Sequence, residues 1–171
     1  MFHLPPRRRI AGDSTAINLL VIFVLAGIVT AFALPAYRNY TLREHSKLAR
    51  LALEDAADRY LVWQKTHHAQ RPYSLADFGF PAGAVYVSSD GTVNPNANIS
   101  SIYRVSLSFP ETASAESCGL SVAGDPTAFM LVAEPIQTQR IDTQCGRLCL
   151  SSAGRQGRTG SAGIAQCWGT R

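Results

Sequence analysis

Four cysteines are the residues of this 171-residue chain whose chemistry is easiest to predict, and they are Cys118, Cys145, Cys149 and Cys167. All four lie in the last third of the sequence, and an even number of cysteines is typical of disulfides in an oxidising compartment. Zinc is the alternative, but Cys145 and Cys149 form a C-x3-C pair without a second ligand pair of the usual spacing. The pattern favours disulfides over a metal site, and we expect no cofactor.

The spacing of the cysteines narrows their pairing. If Cys145 and Cys149 lie on one extended strand, their Cα atoms are about 13 Å apart, whereas a bridge needs less than about 7 Å. Two pairings then remain. One joins Cys145 to Cys167 and Cys118 to Cys149, and the other joins Cys118 to Cys145 and Cys149 to Cys167.

Basic side chains collect near the same cysteines. From Arg140 to the C-terminus there are five basic residues and one acidic residue, and the basic ones include Arg147, Arg155 and Arg158, with Trp168 nearby. Arginines beside an aromatic ring suit phosphate contact and base stacking, so these four residues are a candidate DNA contact. The simpler interpretation, which we favour, is a solvated loop kept soluble by its arginines.

The sequence gives little support to catalysis. His67 and His68 are adjacent, so on a helix they cannot form an i, i+4 pair of metal ligands. The carboxylates Glu54, Asp55 and Asp58 predict a solvated helix face, with an intersubunit salt bridge as the alternative. The sequence contains no nucleophile elbow, zincin helix, phosphate loop or dinucleotide fingerprint, and we expect no enzyme.

The N-terminal region predicts a membrane segment. Residues 17–34 contain only two polar side chains, Asn18 and Thr30, and as a helix they span about 27 Å, close to the hydrocarbon thickness of about 30 Å. Arg7–Arg9 precede this segment and place the N-terminus in the cytoplasm by the positive-inside bias. A cleaved signal peptide is the alternative, but the pattern continues past Pro35 as a helix.

That continuation is amphipathic. From Leu42 to His68 there is neither glycine nor proline, and apolar residues recur at intervals of three and four. The predicted buried stripe consists of Leu48, Leu51, Ala52, Ala56, Tyr60 and Trp63. Tyr60 and Trp63 are expected to be core anchors.

The rest of the chain predicts strands. Tyr103–Phe109 alternates between apolar and polar residues, Ala128–Ala133 is continuously apolar, and Cys145–Leu150 alternates less cleanly. Stretches rich in Gly, Asn and Ser, from 88 to 101 and from 151 to 163, predict loops. We therefore expect an α+β fold in which the helix covers the apolar face of a small antiparallel sheet.

Three pieces of the sequence together resemble a known family. They are Gly27 through Pro35-Ala36-Tyr37-Arg38-Asn39-Tyr40, the segment Tyr73–Pro81, and the ending from Cys145-Gly146 to Cys167-Trp168. In combination they resemble the type IV pilins, most closely the minor pilins of Gram-negative type IV pilus systems. The resemblance implies a basic leader (1–13), a transmembrane helix (14–36), an amphipathic continuation (37–70) and a β-rich head (71–171) with a disulfide-closed C-terminal region.

The resemblance also assigns roles to residues. Counting back from Pro35 with the family's spacing makes Ser14 the first mature residue, with Asp13 where the family has glycine and Gly12 one place earlier. These three are the predicted processing residues. Asn18 stands at the fifth mature position, where the family has a Glu that neutralises the N-terminal amine of the adjoining subunit.

Filament packing is implied for Asn18, Gly27, Pro35 and Tyr37. Of the two disulfide pairings, the resemblance favours Cys145 with Cys167, which leaves Cys118 with Cys149.

The resemblance implies a structural subunit of a pilus that serves twitching motility, adhesion or DNA uptake. It would reside in the bacterial inner membrane with a cytoplasmic N-terminus and then in the pilus. The implied partners are other pilin subunits, contacted through the N-terminal helix, the prepilin peptidase and the assembly machinery. The alternatives are a type II secretion pseudopilin, a DNA-binding pilin and an uncleaved, signal-anchored periplasmic protein.

Overall fold

A computed structural model describes residues 13–67, 70–114, 117–122 and 127–169. Contacts divide the chain into two compact units, residues 1–40 and residues 41–171. The first helix, α1 (Asp13–Gln64), contributes to both units and continues through Pro35. We call residues 41–171 the head.

The head contains one antiparallel sheet of six strands in the order β2-β1-β3-β4-β5-β6. The strands are β1 (Ala84–Ser88), β2 (Val93–Asn94), β3 (Ser101–Ser108), β4 (Met130–Pro135), β5 (Leu148–Ser151) and β6 (Gln156–Arg158). Two 3-10 helices (Leu75–Phe78 and Gln137–Ile141) and a short helix α2 (Ile164–Trp168) complete the head. The predicted α+β class, with a long helix on an antiparallel sheet, is confirmed.

The main core lies between α1 and one face of the sheet. Its buried side chains include Ala49, Ala52, Leu53, Ala56 and Tyr60 from α1, and Val85, Val87, Tyr103, Val105, Leu131, Ala133 and Leu148 from alternate positions of the strands. This alternation follows from the period of two in a strand, which turns successive side chains to opposite faces. The alternation of apolar residues along the strands therefore determines which side chains face α1.

The predicted stripe of α1 is correct in part. Ala52, Ala56 and Tyr60 are buried, but Leu51 is 53% exposed, whereas Leu53, which the stripe omitted, is fully buried. Trp63 is half-buried and packs against the edge of the core. The true face runs through Ala49, Leu53, Ala56 and Tyr60, whose spacing of three or four residues fits the helical period equally well.

The predicted element boundaries need correction. α1 ends at Gln64, before the predicted limit of 70, and His68 lies outside the described residues. β4 begins at Met130 and reaches Pro135, and β5 begins at Leu148, three residues after Cys145. The two stretches predicted as loops contain the edge strands β2 and β6.

The β1–β2 connection is a tight turn at Asp90 and Gly91. Gly91 has φ +84, a left-handed conformation that glycine adopts without a steric cost. The Asp90 carboxylate accepts the backbone N–H (2.9 Å) and the hydroxyl (2.7 Å) of Thr92. The backbone bond, and next the hydroxyl bond, lower the pKa of Asp90 because they stabilise its ionised form.

The opposite face of the sheet carries a smaller apolar cluster. Met130, Val132 and Cys149 are buried there, under Cys118, Leu120 and Val122 from the connection between β3 and β4. The Cys118–Cys149 disulfide attaches this connection to β5, with the two Cα atoms 6.1 Å apart. Each face of the sheet thus has its own disulfide-linked cover, because Cys167 of α2 is bonded to Cys145 on the α1 side.

Candidate functional site

The first candidate surface is the apolar part of α1. Among the described residues, α1 is a helix long and apolar enough to cross a membrane, with a mean hydropathy of 2.7 over a window in which no residue is buried. Its exposed large side chains include Ile17, Leu19, Leu20, Val21, Ile22, Phe23, Val24, Leu25, Ile28, Val29, Phe32 and Leu34. A continuous apolar surface of this kind is stable in lipid or against other apolar helices, but not in water.

Residues 17–34 of this helix have two polar side chains, Asn18 and Thr30. The Thr30 hydroxyl donates to the carbonyls of Ala26 (2.9 Å) and Gly27 (3.0 Å), so its polarity is not presented to lipid. Asn18 is exposed on the same helix. A Cβ at Gly27 would meet no atom of the described residues within 4 Å, so no contact among them requires glycine there.

The remaining residues predicted for processing and packing lie along the same helix. α1 begins at Asp13, next to Ser14, so the predicted cut is at its start, and Gly12 lies outside the described residues. Pro35 is inside the helix, and Tyr37 is 70% exposed. Their roles in processing and in filament packing stay predictions.

The two disulfides have the pairing that the resemblance favours. Cys145 is bonded to Cys167, with Cα atoms 5.6 Å apart, and Cys118 is bonded to Cys149. The other pairing is wrong. The assumption that Cys145 and Cys149 lie on one extended strand is also wrong. Gly146 has φ +60 and turns the chain between Cys145 and β5.

The candidate DNA-contacting arginines do not form one free basic surface. Arg147 is half-buried and donates to the Glu134 carboxylate at 2.9 Å. The Arg155 guanidinium donates to the Ser121 carbonyl at 2.7 Å. Within the described part of the chain, the buried Nε of Arg158 has no hydrogen-bond partner. Two of the three guanidinium groups therefore already contact protein atoms.

Trp168, the aromatic member of the candidate DNA contact, is not accessible. Its side chain is 1% exposed within the main core, and its indole N–H donates to the Gly157 carbonyl at 3.1 Å. A nucleic-acid base can stack only on a ring face that is accessible, so Trp168 cannot serve as a platform. Its role is to hold α2 on the sheet next to the Cys145–Cys167 bridge.

Sequence reasoning missed a buried polar network between α1 and the Gln137–Ile141 segment. Ser46, Tyr103, Gln139 and Asp142 are all buried, and Tyr103 and Gln139 are fully inaccessible. The Ser46 hydroxyl donates to Asp142 (3.1 Å), and Gln139 Nε2 lies 3.2 Å from both Asp142 and the Tyr103 hydroxyl. Burial, and to a lesser degree the negative charge of Asp142, raise the pKa of Tyr103 to about 12.

Two shallow grooves of about 480 Å³ and 460 Å³ meet at the Arg147–Glu134 ion pair. Serine and threonine residues, among them Ser106, Ser108 and Ser117, form part of the lining of the second groove. Within the described ranges, no group of three or more His, Cys, Asp or Glu side chains is placed to hold a metal ion. His67 is stacked on the Trp63 ring, with centroids 4.5 Å apart, at the end of α1.

Two of the helix carboxylates form ion pairs with arginines of the same helix. Glu54 pairs with Arg50 at 3.5 Å, and Asp55 pairs with Arg59 at 3.0 Å, both over one helical turn. The Asp55–Arg59 pair is solvent-exposed and contributes little stability, whereas Arg50 is half-buried. Both carboxylates match the predicted solvated helix face.

The exposed apolar surface of α1 is suited to association with lipid or with other apolar helices. α1 has an exposed apolar surface in residues 17–34, and the head has a folded core with two disulfides. No protein-family model matches the chain, and no curated protein matches it. Function is therefore inferred from these surfaces and from the sequence resemblance.

Proposed function

We propose that this chain is a minor pilin, a structural subunit that is assembled into a type IV pilus or primes its assembly. The observation that carries the proposal is that two parts of α1 have different surroundings. Residues 17–34 expose an apolar surface, while from Ser46 to Tyr60 the same helix has one face buried in a disulfide-linked head. A subunit that is first held in a membrane, and later packs against neighbouring subunits through the same helix, needs both features. Its helix must have an apolar part that anchors it and a second part that is buried in its head.

The apolar segment would act in two environments. In the inner membrane, lipid covers residues 17–34, and the basic residues Arg7–Arg9 hold the N-terminus in the cytoplasm. In the filament, the apolar helices of neighbouring subunits would replace the lipid. Since both environments are apolar, the transfer exposes little apolar surface to water, and the assembly motor need not overcome a large hydrophobic cost.

Asn18 makes a particular position in the filament attractive. In a subunit packed inside an apolar filament, the N-terminal amine of the next subunit is costly to bury without an opposite charge. The neutral amide of Asn18 can accept a hydrogen bond but supplies no charge. We therefore propose a tip or initiating position, where no subunit lies ahead and the missing carboxylate carries no penalty.

The head would be the part exposed outside the cell. Its two disulfides attach the β3–β4 connection and α2 to the sheet, so both covers of the sheet are covalently fixed. Such bridges persist only where thiols are oxidised, which agrees with an exported head. Whether the head serves motility, adhesion or DNA uptake depends on surfaces shared with other subunits. The buried Trp168 removes the aromatic half of the proposed DNA contact.

The intact mass of the non-reduced protein, extracted from membranes with and without the prepilin peptidase, tests the proposal. We expect loss of residues 1–12 or 1–13 only when the peptidase is present, together with the mass deficit of four hydrogens for two bridges. The mass separates a cut before Asp13 from a cut before Ser14. A full-length mass in both strains would contradict the proposal and favour an uncleaved, signal-anchored periplasmic protein.

Gly12→Leu supplies the matched variant. If the peptidase recognises Gly12, this variant should keep its leader in the strain that processes the wild type. Its disulfide mass deficit should be unchanged, because the substitution lies outside the head. Cleavage of Gly12→Leu that still requires the peptidase would show that the peptidase cuts after Asp13 without recognising Gly12, whereas cleavage in the strain that lacks the peptidase would contradict the proposal.

A further inference from the structure

α1 is attached to the head in two chemically different ways. Its buried residues from Ala49 to Tyr60 are apolar, and between Leu42 and Arg50 it is in addition hydrogen-bonded to the segment from Gln139 to Trp168. We propose that the Cys145–Cys167 bridge stabilises the hydrogen bonds between this part of α1 and that segment. We call these hydrogen bonds, together with the bridge, the clasp. Ala49 and Leu48 contact the main core in any case, and the hydrogen bonds of residues 42–50 are held most tightly while the bridge is formed. This inference does not depend on the pilus proposal.

The clasp holds α1 at two places, which we call grips, and the first grip is at Ser46. This is the first buried residue of α1 in the described part of the helix, and its hydroxyl donates to Asp142 Oδ2 at 3.1 Å. Gln139 adds two bonds. Its Nε2 donates to the Leu42 carbonyl at 3.2 Å, and its Oε1 accepts from His45 Nδ1 at 2.9 Å. Polar side chains of the Gln139–Asp142 region thus hold two successive turns of α1.

Asp142 connects this grip to the disulfide. Its other carboxylate oxygen accepts the backbone N–H groups of Gln144 (2.9 Å) and Cys145 (3.0 Å). Asp142 is 6% exposed, and no cation pairs with it among the described residues. A buried carboxylate is tolerated only when its oxygens are hydrogen-bonded, so these donors must be held in place around it. The position of Cys145 is therefore coupled to that of Ser46.

The second grip is at Arg50, one helical turn further along α1. Its guanidinium donates to the carbonyl of Trp168, the residue that follows Cys167. Gly169 then ends α2 with φ +65, and a Cβ at this position would collide with the Arg50 guanidinium. Glycine adopts this left-handed conformation without a steric cost and leaves the Arg50 guanidinium in place beside the chain.

The bridge joins the partners of the two grips. Asp142 and Trp168 are far apart in sequence, but Cys145 and Cys167 lie beside them, and the bridge holds these cysteines with Cα atoms 5.6 Å apart. Backbone hydrogen bonds also join the two segments, from Ser161 N–H to the Thr143 carbonyl (3.0 Å) and from Ala162 N–H to the Gln144 carbonyl (2.9 Å). The bridge adds a covalent link to these bonds, so each grip raises the local concentration of the other more strongly while the bridge is formed. The bridge therefore increases the cooperativity of the two grips.

The second disulfide provides a matched control. Cys118–Cys149 belongs to the apolar cluster on the opposite face of the sheet. It closes a longer loop than Cys145–Cys167, with sequence separations of 31 and 22, so loop entropy predicts that its removal costs at least as much stability. A selective effect on α1 then cannot come from the general stability of the head.

Hydrogen exchange of the full-length protein in detergent micelles, measured by mass spectrometry, tests the clasp. In the double variant Cys145→Ala/Cys167→Ala, amides of residues 46–50 should exchange about tenfold faster than in the wild type. Amides of residues 56–60 should change by less than about twofold. In Cys118→Ala/Cys149→Ala, neither stretch of α1 should change by more than about twofold.

The proposal would be overturned if exchange became faster to the same degree at residues 46–50 and 56–60, or if the variant unfolded completely. The bridge would then stabilise the whole head and not residues 42–50 in particular. Unchanged exchange at residues 46–50 would overturn it as well. A second measurement avoids new side chains at the bridge. In Cys118→Ala/Cys149→Ala, a small dithiol reduces the remaining bridge to two thiols while being oxidised to its cyclic disulfide. This reduction should reproduce the selective acceleration, and its failure to do so would contradict the clasp.

Discussion

Leu51 and Leu53 give a sharp test of how α1 is oriented in the head. Leu53 is fully buried, whereas Leu51, two residues earlier, is 53% exposed. Leu53→Ala removes three carbon groups worth about 0.8 kcal/mol each and leaves a cavity, so we expect a loss of about 3 kcal/mol in the free energy of unfolding. Leu51→Ala leaves no cavity and improves helix propensity, so its effect should be below about 0.5 kcal/mol.

Urea unfolding of the full-length protein in a mild detergent measures both values. The two tryptophans, Trp63 and Trp168, both belong to the head, so their fluorescence reports the unfolding of the head. With a slope of about 2 kcal/mol per molar urea, Leu53→Ala should lower the midpoint by about 1.5 M and Leu51→Ala by less than about 0.3 M. Equal shifts, or a larger shift for Leu51→Ala, would refute this orientation of α1.

Two further predictions concern the head. Tyr103 should make the protein less stable in alkali, because the buried phenol stays protonated up to about pH 12 in the folded state but ionises near 10.0 in the unfolded chain. The free energy of unfolding should therefore fall as the pH rises above 10.0, and a comparison of urea midpoints should show a smaller fall in Tyr103→Phe. Gly157→Ala should destabilise the head by more than about 1 kcal/mol, because its Cβ would lie 2.8 Å from Cys118 Cβ and 2.9 Å from the Cys118 carbonyl oxygen. Gly163→Ala is the control, since nothing lies within 4 Å of its Cβ, and a similar thermal shift in both variants would contradict the packing described for β6.

The order of elements could be predicted because strong patterns specify it. The apolar run 17–34 and the gap-free stretch after it predict a long helix, and alternation in Tyr103–Phe109 predicts the central strand β3. Which face of α1 is buried could not be predicted to the residue. Leu51 and Leu53 both fit a helical stripe, and only contact with the sheet distinguishes them.

The edge strands escaped prediction for a different reason. β2 (Val93–Asn94) and β6 (Gln156–Arg158) are two and three residues long and contain residues that seldom form strands. Their extended conformation comes from hydrogen bonds to β1 and β5, and not from their own composition. Such strands are imposed by their neighbours and leave little trace in the local sequence.

The polar network under α1 is invisible to local sequence reasoning because its members are distant along the chain. Ser46 and Asp142 are separated by 96 residues, and His45 and Gln139 by 94. Each side chain taken alone predicts a solvated surface position. Only the fold shows that they satisfy one another. The burial of Trp168 was missed for the same reason, since its neighbours Arg50 and Gly157 come from other elements.

We propose that this chain enters a pilus through its N-terminal helix. Mass spectrometry of pili sheared from cells tests it most directly, with a strain lacking the assembly motor as the control. The proposal predicts that sheared pili contain the chain without its leader, at low abundance relative to the main subunit, and that the chain stays in the membrane fraction of the motor-deficient strain. Its absence from pili of the wild-type strain, with all of the chain retained in membranes, would contradict the proposal.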